Sequence, residues 1–132
     1  SEECRSGFSV RKSLRTTLKS KTQIKFQDIL TNAGGWDSTS HSFVASCPGI
    51  YFFTFNALSE EGHGFTLALM KNDKFQVTAY GGKEGYQWGG NSAMLFLNKG
   101  DQVYLELQDG EIYEHPFNEA YTTFTGFLIN KF

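Results

Sequence analysis

Gly49-Ile50-Tyr51-Phe52-Phe53-Thr54-Phe55 is the stretch that decides how this chain folds. Aromatic and β-branched residues favour extended backbone, in which successive side chains point to opposite faces. Tyr51, Phe53 and Phe55 therefore share one face, while Ile50 and Phe52 lie on the other. A strand in a two-layer sandwich has a single core to face, so a strand that is apolar on both sides needs a second cover, which a neighbouring subunit supplies. The same double character recurs in Ala93-Met94-Leu95-Phe96-Leu97 and in residues 124–129, where Phe124 and Leu128 oppose Phe127 and Ile129. Three such strands predict an oligomer.

Further period-two runs at residues 24–30, 42–46, 65–71, 74–80 and 102–108 bring the strands to at least eight, with no long helix. The Leu14 and Leu18 spacing reads as loop or edge strand. Three strands are amphipathic: Phe65, Leu67 and Leu69 alternate with Thr66, Ala68 and Met70; Phe75, Val77 and Ala79 with Lys74, Gln76 and Thr78; and Val103, Leu105 and Leu107 with Gln102, Tyr104 and Glu106. The pattern predicts an all-β, two-sheet sandwich spanning residues 1–132 as one domain, with 1–7 a flexible lead-in. Short connections at 47–49, 72–73 and 98–101 alternate with long ones at 31–41, 59–64, 81–91 and 109–121. If strands simply reverse direction, all the long loops share one end of the sandwich.

Thirteen Phe and six Tyr in 132 residues suit a sandwich core. The net charge of −2 offers no bulk attraction for nucleic acid or an anionic membrane. No apolar run approaches a membrane span, so membrane insertion is not expected. Seven Lys or Arg fall before residue 28, and the acids concentrate later. Cys4 and Cys47 permit one disulfide in an oxidising compartment without requiring it; the alternative is a buried free Cys47 with Cys4 exposed.

Phe26, Asn32, Trp36, Phe43 and Gly49, followed by Tyr51, Phe53 and Phe55, stand at spacings that resemble the signature of the complement C1q globular-head domain, a relative of the tumour necrosis factor jelly roll. Trp36 arrives one residue earlier than the aromatic usual in that family. Phe8-Ser9-Val10, Lys99-Gly100-Asp101-Gln102-Val103-Tyr104 and Phe124-Thr125-Gly126-Phe127-Leu128 resemble its opening strand, its Gly-Asp turn and its closing strand. The resemblance implies a jelly roll that packs as a homotrimer through the sheet holding the strands at Phe8, Ile50, Ala93 and Thr122. It also implies a secreted, extracellular recognition domain of the kind used in innate immunity. Tyr51, Phe52, Phe53, Phe55, Met94, Phe96, Phe124, Phe127 and Ile129 are then assigned to core and trimer interface. The family's calcium site takes an Asp just after the aromatic that ends the strand entering a loop. Here Gly81 follows Tyr80, and no Asp lies between Tyr80 and Ala93, so that site is not matched.

No nucleophile elbow, phosphate loop, paired metal cysteines or zinc-protease helix motif is present, and an enzyme is not expected. No cofactor is required, although calcium or zinc has candidate ligands in Asp109, Glu111 and His63. The long loops carry both tryptophans and all three histidines, within a mostly acidic setting. Trp36 is expected to plug the sandwich end. Trp88, Tyr86, Tyr113 and His115 are expected to stack on and hydrogen-bond a ligand, with Glu60, Glu111 and Glu114 as polar or metal contacts. Pattern recognition or lectin-like binding of glycans or other repetitive targets, proteins included, through the long-loop end is the expected function; the alternatives are a signalling or adhesion ligand for a protein receptor and a structural matrix domain.

Overall fold

The computed structural model describes residues 4, 6–12, 21–114 and 119–132. Its strands are β1 (Gly7–Arg11), β2 (Thr22–Gln23), β3 (Asp28–Gly34), β4 (Trp36–Asp37), β5 (Ser42–Val44), β6 (Gly49–Leu58), β7 (Phe65–Lys71), β8 (Lys74–Gly81), β9 (Trp88–Leu97), β10 (Gln102–Gly110) and β11 (Thr123–Lys131). One sheet runs β3-β1-β11-β6-β9. The other runs β4-β5-β10-β7-β8, with β2 added beside β10. The neighbouring strands pair antiparallel, and the described residues contain no helix. The strands at Phe8, Ile50, Ala93 and Thr123 therefore do lie in one sheet.

β6 alternates as its sequence requires, with Tyr51, Phe53, Phe55 and Ala57 fully buried between the sheets. Phe8, Phe43, Trp36, Phe26 and Phe124 interlock with them, the Phe8 ring lying 4.9 Å from Phe124 and 5.0 Å from Trp36. Tyr51, Phe53, Phe55 and Phe124 are thus core residues and not interface residues. A Cβ at Gly126 would lie 2.5 Å from the Phe53 ring, so the glycine is needed for ring packing. Gly49 is required by close approach, since a Cβ there would meet the Asn130 carbonyl at 2.5 Å. The turn at Asn72 and Asp73 does take positive φ at both residues, 48° and 69°, as a two-residue hairpin does.

Several expectations fail for identifiable reasons. The apolar run at 24–30 is not a strand over its length. Ile24 and Phe26 are buried, but the Phe26 N–H donates to His41 Nδ1 at 3.1 Å and the Ile24 N–H to the Leu105 carbonyl at 2.9 Å, and the strand begins at Asp28. The supposed loop at 31–41 contains the end of β3, all of β4 and an extra reversal between them. Asn32 builds that reversal: its Oδ1 accepts the N–H groups of Gly34 and Trp36, and its Nδ2 donates to the Trp36 carbonyl. Because Gly34 pairs with Gly7 and Gly7 with Phe127, this reversal lies toward the end near the termini, not the long-loop end, and the Trp36 ring packs into the core against Phe8, Phe26 and Phe124.

Phe75 was expected inside but is 68% exposed. A bulge pairs Leu69 with Val77 and then Met70 with Phe75, which turns Phe75 onto the outer face. Nor is that outer face fully wet: Ala68, Met70 and Tyr104 form a second small buried cluster, and the Tyr104 hydroxyl donates to Asp73 at 2.6 Å. Burial, with the Asp73 charge beside it, pushes the Tyr104 phenol up to about 12.

Cys4 and Cys47 form a disulfide, with Cα atoms 6.2 Å apart. Of the lead-in, residues 1–3 and 5 lie outside the described residues, as do Leu14 and Leu18, and Gly7 already belongs to β1.

Candidate functional site

Three connections share the end of the sandwich remote from the disulfide, and backbone hydrogen bonds bind them to one another. The Ser59 N–H donates to the Gln87 carbonyl, Gly62 to Lys83, Tyr113 to Leu58 and Glu111 to Gly64, at 2.7–2.9 Å. This frame positions four aromatic rings in a row. Tyr86 meets Tyr113 edge-on at 5.2 Å, Tyr113 stacks on Tyr121 at 5.8 Å, and Tyr121 meets Trp88 edge-on at 5.9 Å. Tyr86 and Trp88 are 59% and 58% exposed, so the strip offers ring surface to solvent.

Trp88 stands on a strand and not, as expected, in a loop. β6 continues to Leu58, which pairs with Trp88, and this draws residues 88–91 into β9. Tyr121 was missed by sequence reasoning, because it lies just before β11 with no periodicity around it. Its placement depends on Glu114, which was expected at the surface but is 1% exposed. The Glu114 carboxylate accepts the N–H groups of Tyr121 and Thr122 at 3.2 and 3.0 Å. It is a clip that brings Tyr121 back onto Tyr113. Burial raises the Glu114 carboxyl above its ordinary range, opposed by those hydrogen bonds and by Lys12; burial likewise lowers the Lys12 ammonium, opposed by Glu114.

His115 lies outside the described residues. His41 is not at this end, being committed to the Phe26 N–H. Glu60, His63 and Glu111 do converge, with His63 Nδ1 3.6 Å from Glu111 Oε2. They stand beside a groove of about 470 Å³ lined by His63, Glu111, Asp109, Tyr80 and Lys83 among others. The implied calcium ligand after Tyr80 has no counterpart, and Gly81 explains why: a Cβ there would fall inside the Phe65 ring. The residues at that position do not fit the ion.

The outer face of the β3-β1-β11-β6-β9 sheet is graded along the strands. Near the termini it carries Phe52, Phe127, Met94, Ile50, Phe96, Ile129 and Phe132, with Phe52 and Phe127 5.5 Å apart and Phe96 stacked on Phe132 at 5.5 Å. The next row is hydroxyls: Ser9 and Thr125 are bonded at 2.9 Å, and Ser92 donates to Thr54 at 3.1 Å. The row nearest the loops holds Arg11 paired to Asp28 and Thr123 bonded to Asn56. Double apolarity thus belongs to half of this face, and Trp88 stands beyond its polar rows. Trp88 lies six residue steps along the strand from Met94, roughly 20 Å at 3.3 Å per residue.

A family model for the C1q domain matches residues 7–129. Among curated proteins, the chain is 32% identical to mouse complement C1q tumor necrosis factor-related protein 2 over 98% of its own length and 45% of that protein's. It is 31% identical to the human protein of that name over 95% and 45%. The chain therefore spans less than half the length of these relatives. Among solved structures, the globular domain of zebrafish complement 1qA protein matches with a TM-score of 0.78 at 27% identity, covering 97% of this chain and 99% of that one. Murine APRIL at pH 5.0 matches with a TM-score of 0.73, covering 95% and 99%, and at 12% identity it attests the shared fold alone.

Proposed function

Since this chain belongs to the C1q domain family, we propose that it serves as an extracellular, non-enzymatic recognition module that assembles as a homotrimer and binds glycans through its long-loop end. The observation that carries this reading is the strip Tyr86-Tyr113-Tyr121-Trp88, exposed at its two ends on a hydrogen-bonded frame and separated by polar rows from the apolar patch. The apolar patch is covered by neighbouring copies in the trimer, which leaves the strips free. Aromatic faces receive the apolar faces of sugar rings, and three weak copies gain by avidity on a repetitive target. The disulfide and the absence among the described residues of a helix able to cross a membrane accord with a secreted protein.

The test is a glycan array paired with light scattering. Trp88→Ala should weaken binding at least tenfold, about 1.4 kcal/mol, and leave the mass unchanged. Absence of glycan binding by the unmodified protein, with and without chelator, would defeat the glycan reading. Loss of the trimer in Trp88→Ala would move Trp88 to the interface.

A second reading, a signalling or adhesion ligand for a protein receptor, draws on Phe75 and Tyr80, which are 68% and 71% exposed on the outer face of β8. Aromatic residues are enriched at the centres of protein interfaces. Binding to a receptor that is lost in Phe75→Ala and kept in Trp88→Ala would favour it.

A further inference from the structure

Beside the aromatic strip, the loop end gathers a donor set of different chemistry. Glu60, His63 and Glu111 each offer one ligand atom, and the three atoms lie within 4.8 Å of one another. They come from two segments that the backbone holds together. The His63 N–H donates to the Glu60 carbonyl at 3.0 Å, closing a turn through Gly62, whose φ is 87°. The Glu111 N–H donates to the Gly64 carbonyl at 2.9 Å, and Gly110 packs so tightly on that carbonyl that no Cβ fits. The three side chains therefore leave a single rigid junction, and little chain entropy remains to be lost when an ion draws them in.

The donor types select the ion. Two carboxylate oxygens and an imidazole nitrogen make too small and too mixed a set for calcium, which takes about six to eight oxygens. They suit zinc and related divalent transition ions, which accept imidazole with carboxylate and are often held by three protein ligands plus water. The spacing agrees. Ligands about 2.1 Å from a tetrahedral ion stand roughly 3.4 Å from one another; His63 Nδ1 and Glu111 Oε2 are already 3.6 Å apart. Closing the rest of the set from 4.8 Å or less takes a shift of at most about 1.4 Å at the end of a flexible glutamate. Lys83 and Asp109 also line the adjoining groove.

We propose that Glu60, His63 and Glu111 form a binding site for a divalent transition ion of the zinc type, whose remaining positions are open to water or to an oxygen donor lying in the groove. The site does not depend on glycan recognition. Its residues are distinct from the aromatic strip.

The experiment is calorimetric titration of the whole chelator-treated chain with zinc chloride, and separately with calcium chloride. One zinc per chain is expected, with at least tenfold loss of affinity in His63→Ala and in Glu111→Gln and none in Glu106→Gln on the outer face of β10. Calcium at equal concentration should not displace the zinc. The His63 and Glu111 side chains are 53% and 51% exposed, so both variants should fold, and thermal unfolding checks it: zinc should raise the Tm of the unmodified chain and not that of His63→Ala. Absence of zinc binding, zinc affinity unchanged by both substitutions, or displacement by equimolar calcium would each overturn the proposal.

Discussion

Removing the Cys4–Cys47 bond by the double substitution Cys4→Ser and Cys47→Ser should cost stability mainly through the unfolded chain. Both residues are only half-buried, so serine at either position sacrifices little packing. What is lost is the restraint on a loop of sequence separation 43. The loop-closure relation gives an entropy of about 13 cal/mol/K for a loop of that length, or about 4 kcal/mol at 25 °C. Unfolding a domain of this size carries an entropy of roughly 280 cal/mol/K, so the Tm should fall by about 14 °C. The assay is thermal unfolding followed by circular dichroism at one fixed protein concentration, because the melting of an oligomer depends on concentration. The unmodified chain in reductant should match the double variant in oxidant. A fall of less than about 3 °C would refute the reasoning, since it would mean that the unfolded chain gains little freedom when the bond is removed.

Two further outcomes are expected. Phe127→Ser combined with Met94→Ser, on either side of Phe52 on the outer face, should convert the proposed trimer to a folded monomer in light scattering; an unchanged mass would place the interface elsewhere. The His41 imidazole is held below its ordinary value of 6.5, chiefly by burial and then by Lys25, while its Nδ1 accepts the Phe26 N–H. A depressed folded value means that the unfolded state takes up the proton first, so this contribution is intact above about pH 6.5 and is lost as pH falls through the folded value. Glu114, whose folded value is raised, acts in the opposite sense, so the His41 part is read as a difference. The urea midpoint should fall from pH 7.5 to 5.5 more in the unmodified chain than in His41→Gln, which keeps an acceptor but does not titrate; equal falls would contradict the assignment.

Much of the fold was legible because period two is a local property. Tyr51, Phe53 and Phe55 alternate with Ile50 and Phe52 wherever the strand is placed, and the structure buries the first set and turns the second outward. The candidate site was legible only in part. Trp88, Tyr86 and Tyr113 were visible as aromatics among glycines, and Glu60, His63 and Glu111 as metal-binding types in long loops. That Glu114 turns inward was not visible, because a carboxylate in an acidic loop looks the same whether it meets water or two backbone N–H groups.

Composition and alternation by themselves determined the sandwich, its aromatic core and the doubly apolar character of β6, β9 and β11, whose outer sides share one sheet face. Tertiary structure alone decided which half of that sheet face is apolar, since the polar rows depend on strand register: Ser9 meets Thr125, Thr54 meets Ser92 and Asn56 meets Thr123. It also decided that Phe75 faces out, through one bulge, and that Tyr121 joins the strip, through one buried carboxylate. Each of these depends on residues far apart in the chain, whose pairing no local pattern encodes.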